Sequence, residues 1–266
     1  MKHEEVYQAL LGYLQGLEQA VVAFSGGVDS SLLLYAAHQA LPGMVVAVTV
    51  RTPYVPHWEI EEAESFAQSH SIAHKILDLP VPASILQNPR DRCYLCKKDL
   101  FSAILREAEK RQVNTILEGS NMDDLNDYRP GLRALQELSI VSPYLGLKIT
   151  KHQIRELAKN LGLESWNKPS NACLLSRLPY GTTINDSQLK RISEAEQVLR
   201  DLQLHGSRVR SHGDIARVEV PVEQFADVVS SALRIKLVEK LKACGYLYVT
   251  LDLEGYLSGS MNRNIT

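Results

Sequence analysis

The hexapeptide Ser25-Gly26-Gly27-Val28-Asp29-Ser30 restricts the fold of this chain more than any other stretch, because of what flanks it. An apolar run, 20–24, comes before it and a second, 31–37, follows, so it reads as the turn between a buried strand and a helix. Two adjacent glycines permit positive φ and let backbone amides close on an anion without a Cβ in the way. Ser25 and Ser30 add hydroxyl donors, and the helix that starts here contributes its first N–H groups. These are the parts of a phosphate site, with Asp29 able to help hold a magnesium ion. The Gly-Lys-Ser/Thr ending of a Walker A loop is missing, and so is the G-x-G-x-x-G of a dinucleotide fold. An ordinary Gly/Ser-rich turn is the plainer account, and the spacing weighs against it.

The rest of the first half supplies the sheet that such a turn needs. Val6, Leu10, Leu11, Leu14 and Leu17 recur at helical spacing over 3–17. The uncharged, valine-rich run 44–50 is typical of a parallel strand buried on both faces. A helix over 57–70, a strand over 73–78, a helix over 96–111 and a strand over 115–118 follow. This alternation predicts an α/β fold, a doubly wound parallel sheet with its ligand at the carboxyl ends of the strands. Strand 115–118 leads into Gly119-Ser120-Asn121-Met122-Asp123-Asp124 and then Asp127-Tyr128-Arg129-Pro130-Gly131. Carboxylates there, Asp124 among them, can organise nucleotide or magnesium, or serve only to cap the next helix. A helix over 150–161, capped by Thr150, closes the first domain.

Residues 164–185 break the periodicity and form a long loop, and the domain boundary is placed in it, giving domains 1–167 and 168–266. Beyond the loop, a helix over 186–204, strands over 208–211 and 215–220, a helix over 226–243 and a strand over 246–251 predict a smaller α+β domain. Arg208 and Arg210 alternate on their strand, so their guanidinium groups share one face. That face is either solvated or a clamp for a phosphate group.

With 266 residues, 45% hydrophobic and 23% charged, the chain has the composition of a soluble globular protein. A net charge of −2 gives no reason to expect nucleic acid as a partner. With no apolar run of bilayer length and no signal peptide, no membrane association is expected and the cytoplasm is the expected compartment. Four cysteines are too few for a disulfide scaffold of this size. Cys93 and Cys96 stand three apart at a helix start among basic side chains, which favours thiolate. Such a pair can be a redox couple, half a zinc site or two unconnected thiols. Cys173, in the unusual loop, makes a third, and three thiolates without a fourth suit a cubane cluster with one open iron better than a closed zinc site. Cys244 continues a stripe with Leu237 and Leu241 and is expected to be a core thiol.

The hexapeptide resembles the SGGxDS loop of the PP-loop ATP pyrophosphatases, in which ATP is split to AMP and pyrophosphate so that a substrate oxygen becomes adenylated. Segments 88–97, 119–131 and 168–181, the run 248–256 and Gly259-Ser-Met-Asn262 extend the resemblance over nearly the whole chain, to the LarE family of ATP-dependent sulfur transferases. That resemblance implies adenylation of a carboxylate of a small mononucleotide, pyridinium-3,5-biscarboxylic acid mononucleotide, and its conversion to a thiocarboxylate, as a step toward the nickel-pincer cofactor of lactate racemase.

Two sulfur sources are known in the family. In one, a cysteine at the position of Cys173 is sacrificed; in the other, three cysteines hold a [4Fe-4S] cluster that carries an extra sulfide from a sulfide donor. Cys93, Cys96 and Cys173 match the second. ATP and Mg2+ fall to Ser25, Gly26, Gly27, Asp29, Ser30 and Asp124, while Ser176 and Arg177 are placed by position near the acyl-adenylate. Arg208 and Arg210 fall to the phosphate of the mononucleotide. A homo-oligomer, a hexamer in the family, is implied as well. A tRNA thiolase of the PP-loop class is the rival reading, and it calls for a basic surface that −2 does not supply.

Overall fold

The computed structural model describes residues 3–126, 130–169 and 173–257. The chain divides into two compact units. The first comprises Met1–Thr52, His57–Pro82 and Asp91–Asn171, and the second comprises Pro53–Pro56, Ala83–Arg90 and Ala172–Thr266.

The first unit runs α1 (His3–Gln15), β1 (Ala20–Ala23), α2 (Val28–Ala40), β2 (Val45–Arg51), α3 (His57–Ser69), β3 (Ala73–Asp78), α4 (Arg92–Lys110) and β4 (Ile116–Leu117). It continues with α5 (Gly131–Glu137), α6 (Pro143–Gly146) and α7 (Lys151–Asn160). Its four strands form a parallel sheet in the order β3-β2-β1-β4. β1 shows why both sheet faces must be covered. Ala20 and Val22 pack with Leu10, Leu33 and Ile154 from α1, α2 and α7. Val21 points to the other face, with Phe101 and Ile104 of α4 and Leu135 of α5. A strand without an exposed side cannot alternate apolar with polar residues, and this one does not. The first unit is thus the doubly wound α/β fold that the alternation of elements predicts.

The second unit contains α8 (Asp186–Asp201), β5 (Arg208–His212), β6 (Ile215–Glu219), α9 (Phe225–Val229), α10 (Ser231–Ala243) and β7 (Tyr248–Leu251). β6 pairs antiparallel with β5 and parallel with β7. Val209, Ala216 and Val218 on one sheet face pack with Ala195 and Leu199 of α8 and Leu237 and Leu241 of α10. The expected single helix over 226–243 is two, broken at Ser230, whose ψ of 145° leaves the helical region. Cys244 is a half-buried C-cap residue at the edge of this core, not a fully buried thiol.

Two short excursions, 53–56 and 83–90, belong to this unit and tie down the segment after residue 173. Leu174 N–H donates to the Tyr54 carbonyl at 3.0 Å, Gly181 N–H to Asn88 at 3.0 Å and Ile184 N–H to Leu86 at 2.8 Å. The fully buried Asn88 adds its side-chain amide to the Pro179 carbonyl at 2.7 Å. No helix among the described residues is long and apolar enough to cross a membrane.

Candidate functional site

The loop between β1 and α2 is held open by its own side chains. Ser25 and Ser30 hydroxyls lie 3.1 Å apart, Ser25 N–H donates to Ser30 Oγ at 3.2 Å, and Ser30 Oγ donates to the Gly27 carbonyl at 3.2 Å. Gly26 takes φ +70°, which only glycine adopts without strain, and a Cβ there would stand 3.3 Å from that of Ala63. α2 starts at Val28 with no side-chain cap. Its first N–H groups therefore remain turned to the loop's mouth, the arrangement that binds phosphate at helix starts.

Asp29 sits in the first turn of α2, where its charge suits the dipole. Its carboxylate is ion-paired with the Lys151 ammonium and accepts from Asn121 Nδ2 at 3.2 Å. Tyr144 O–H donates to the Asp29 carbonyl at 3.0 Å, and burial together with the nearby Asp29 charge pushes that phenol well above its usual range. The loop after β4 completes the frame. Asp124 accepts from Asn121 N–H at 3.0 Å, and Asp123 from Lys151 N–H at 2.6 Å. Lys168 donates to the Gly26 carbonyl at 3.0 Å and pairs with Glu62. The result is a phosphate-loop scaffold framed by the carboxylates of Asp29, Asp123, Asp124 and Glu62 and by the ammonium groups of Lys151 and Lys168.

Neither ammonium was expected from the sequence. Lys151 carried one signal: it stands at the first position of α7, where the dipole disfavours a cation, directly after Thr150. Thr150 itself caps α7 as expected, in a full capping box with Gln153. Part of the expected region, Asp127, Tyr128 and Arg129, lies outside the described residues, as do Ser170–Ala172 and Gly259–Asn262.

α4 begins at Arg92, four residues earlier than expected, so Cys93 and Cys96 both lie in its first turns at i, i+3, on one side. Cys93 is exposed and Cys96 half-buried. Tyr94 anchors this end of α4 by donating to Glu137 of α5 at 2.7 Å, with the Arg133 guanidinium stacked 3.8 Å over its ring.

In the second unit Cys173 is half-buried just ahead of the short helical turn Leu174–Arg177. Ser176 Oγ donates to the Cys173 carbonyl at 2.8 Å, and Arg177 Nη1 donates to Ser176 Oγ at 2.5 Å. Arg177 Nη2 makes a buried ion pair with Glu196 at 2.9 Å. Arg210 donates twice to Glu219, at 2.9 and 2.7 Å, and once to the Ser176 carbonyl at 3.0 Å. Arg208 stacks over Tyr256 at 5.2 Å, and burial together with the charge of Arg177 pulls its guanidinium below the usual range. The two arginines do share a face, and it is not a solvated one, since they are only 7% and 5% exposed. Arg210 is neutralised by Glu219, and Arg208 donates to the Ser207 carbonyl at 2.7 Å.

Among the described residues no group of three or more His, Cys, Asp or Glu side chains gathers to hold a metal ion. Cys93 and Cys96 form a pair in the first unit, and Cys173 belongs to the second.

Comparison with known proteins supports the chemistry of the loop. The family model for queuosine biosynthesis protein QueC matches residues 19–92, which span the phosphate loop. An uncharacterized protein of Synechocystis sp. is 40% identical over 99% of both chains. The pyridinium-3,5-bisthiocarboxylic acid mononucleotide synthase of Lactiplantibacillus plantarum is 36% identical over 97% of this chain and 94% of its own. An uncharacterized protein of Methanocaldococcus jannaschii is 32% identical over 91% and 92%. With a PP-loop fold in the first unit and full-length identity of this order to a named synthase, the chain belongs to the LarE family of PP-loop enzymes.

Proposed function

We propose that this enzyme is an ATP-dependent sulfur transferase that converts a carboxylate of pyridinium-3,5-biscarboxylic acid mononucleotide into a thiocarboxylate. The observation that carries the reading is the loop at Ser25–Ser30, with the carboxylate of Asp29 presented beside it by Lys151 and Asn121. A carboxylate is a poor electrophile because its leaving group would be oxide. Its oxygen attacks the α-phosphorus of ATP, pyrophosphate departs, and the acyl-adenylate then carries AMP as a good leaving group. A sulfur nucleophile attacks the carbonyl carbon, the C–O bond to AMP breaks, and the thiocarboxylate remains.

In this scheme the amides of Gly26 and Gly27 and the hydroxyls of Ser25 and Ser30 hold the departing pyrophosphate. Asp29 and Asp124 serve the magnesium ion that accompanies ATP. Arg208 and Arg210 neutralise the phosphate of the mononucleotide, and Ser176 and Arg177, next to Cys173, face the acyl-adenylate. Cys93, Cys96 and Cys173 would hold a [4Fe-4S] cluster, which would supply the sulfur as sulfide. The donor set has the softness and number for it. The cytoplasm is the proposed compartment, and a homo-oligomer, a hexamer, the proposed assembly.

The test is AMP release from Mg-ATP with and without the mononucleotide. AMP and pyrophosphate formed only when the mononucleotide is present support the transferase. AMP formed with tRNA and not with the mononucleotide would assign the chain to tRNA thiolation, and binding of ATP without AMP under either condition would make it a nucleotide sensor.

A further inference from the structure

His212 occupies a place in the second unit that the scheme above leaves without a role. It follows Arg208 and Arg210 at two-residue intervals on β5, so the three side chains stand on one sheet face, opposite the face where Val209 packs into the core. The register sets Arg217 across from Arg210, and Glu219 across from Arg208. Glu219 is fully buried and spends its carboxylate on Arg210 and Arg217. Arg217 is also held by Asp252 at 3.5 Å. His212 has no such arrangement: its Nε2 is buried and meets no hydrogen-bond partner among the described residues. A ring nitrogen shut away from water on a face of charged groups is an unmet demand for a partner.

We propose that His212 is a third ligand of the substrate phosphate, beside Arg208 and Arg210, and that the ring takes up a proton as the phosphate binds. The proposal rests on the assignment of these arginines to the mononucleotide phosphate given above. Without ligand, burial is the main force holding the imidazole neutral; Arg217 and, more weakly, Arg210 act in the same direction, and Glu219 opposes them. A phosphate close to the dianion at pH 7 reverses that local field. The imidazole then accepts a proton from the buffer, and the imidazolium N–H donates to a phosphate oxygen, a charge-assisted bond. The sign of the pH dependence follows. Affinity gains from His212 on the acid side and loses that gain as pH rises through the ring's raised value in the complex.

Calorimetric titration of the mononucleotide into the full chain tests this, with wild type and H212Q each measured at pH 7 in two buffers of different ionisation enthalpy. Wild type is expected to take up more protons per bound ligand than H212Q, by a fraction of one proton, and to bind about tenfold more tightly or better. The riboside that lacks the phosphate is expected to bind wild type and H212Q alike, which also shows that the variant keeps its site; H212N gives a second, shorter replacement. Equal affinity and equal proton uptake in wild type and both variants would overturn the role of His212 alone. Failure of wild type to bind the mononucleotide would overturn the substrate assignment and this proposal with it.

Discussion

Replacing Gly119 by alanine would push a methyl group into the start of α2. Gly119 follows β4, and a Cβ built on it stands 3.0 Å from Asp29 Cβ, 3.1 Å from the Asp29 carbonyl carbon and 3.2 Å from Ser30 N. Such contacts settle at about 3.5–4.0 Å, so something must yield by several tenths of an ångström. Two of the three atoms are backbone, in the turn that carries the phosphate loop into its helix. The displacement therefore passes to Asp29 and Ser30.

Overpacking of this kind costs about 1–3 kcal/mol, offset by ~0.4–1 kcal/mol from the stiffer unfolded chain, which leaves a net loss of roughly 1–2 kcal/mol. Activity is expected to suffer more. A misplacement of about 1 Å can cost 10²-fold, so G119A is expected to lose about tenfold or more in kcat/KM for ATP. AMP release and urea unfolding measure the two effects. G12A is the control: nothing lies within 4 Å of a Cβ at Gly12, inside α1, so that variant should gain about 0.5–1 kcal/mol and keep its activity. If G119A matched wild type in kcat/KM, the view that Gly119 sets the position of the phosphate loop would be refuted.

Two further perturbations test the account elsewhere. R177M should lower stability by about 3–5 kcal/mol, because Glu196 would stay buried after losing its ion pair with Arg177; the double variant R177M/E196Q should recover part of the loss in urea unfolding, and no recovery would show that the charge of Glu196 is not the cause. Burial holds the His74 ring below its usual value despite nearby Glu64, so the unfolded chain binds the proton first and stability should fall as pH drops through about 6.5. The urea midpoint of H74N should change less between pH 7.5 and 5.5 than that of wild type, and an equal change would count against a half-buried ring kept neutral.

Much of the fold is legible in the sequence where a local pattern is also the global requirement. The uncharged run 44–50 has no alternating polar face because helices cover both sides of its sheet, and the Thr150 cap is dictated by the helix start itself. Short elements were not legible. α5 and α6 span seven and four residues, too few for helical periodicity to emerge, and the excursions at 53–56 and 83–90 join the second unit through backbone hydrogen bonds that no side-chain pattern announces. The phosphate loop was readable because its chemistry is contiguous. Lys151, Lys168 and Asn121 reach it from positions 92 to 142 residues away, and only folding brings them there. Arg208 and Arg210 were placed on one face by alternation alone, whereas their burial against Glu219, Ser176 and Tyr256 depends on tertiary structure. Nor could the spacing of Cys93, Cys96 and Cys173 say whether they meet, since spacing fixes only the first pair.

The central claim, that this enzyme transfers sulfur to an adenylated carboxylate, is tested most directly by mass spectrometry after anaerobic incubation of the iron-reconstituted chain with Mg-ATP, sulfide and pyridinium-3,5-biscarboxylic acid mononucleotide. The account predicts a product in which sulfur replaces a carboxylate oxygen, one AMP for each sulfur transferred, and Cys173 unchanged in mass. Product accompanied by dehydroalanine at Cys173 would keep the transfer and move the sulfur source to that cysteine. Absence of any thiocarboxylate while AMP accumulates, or while ATP stays intact, would contradict the claim.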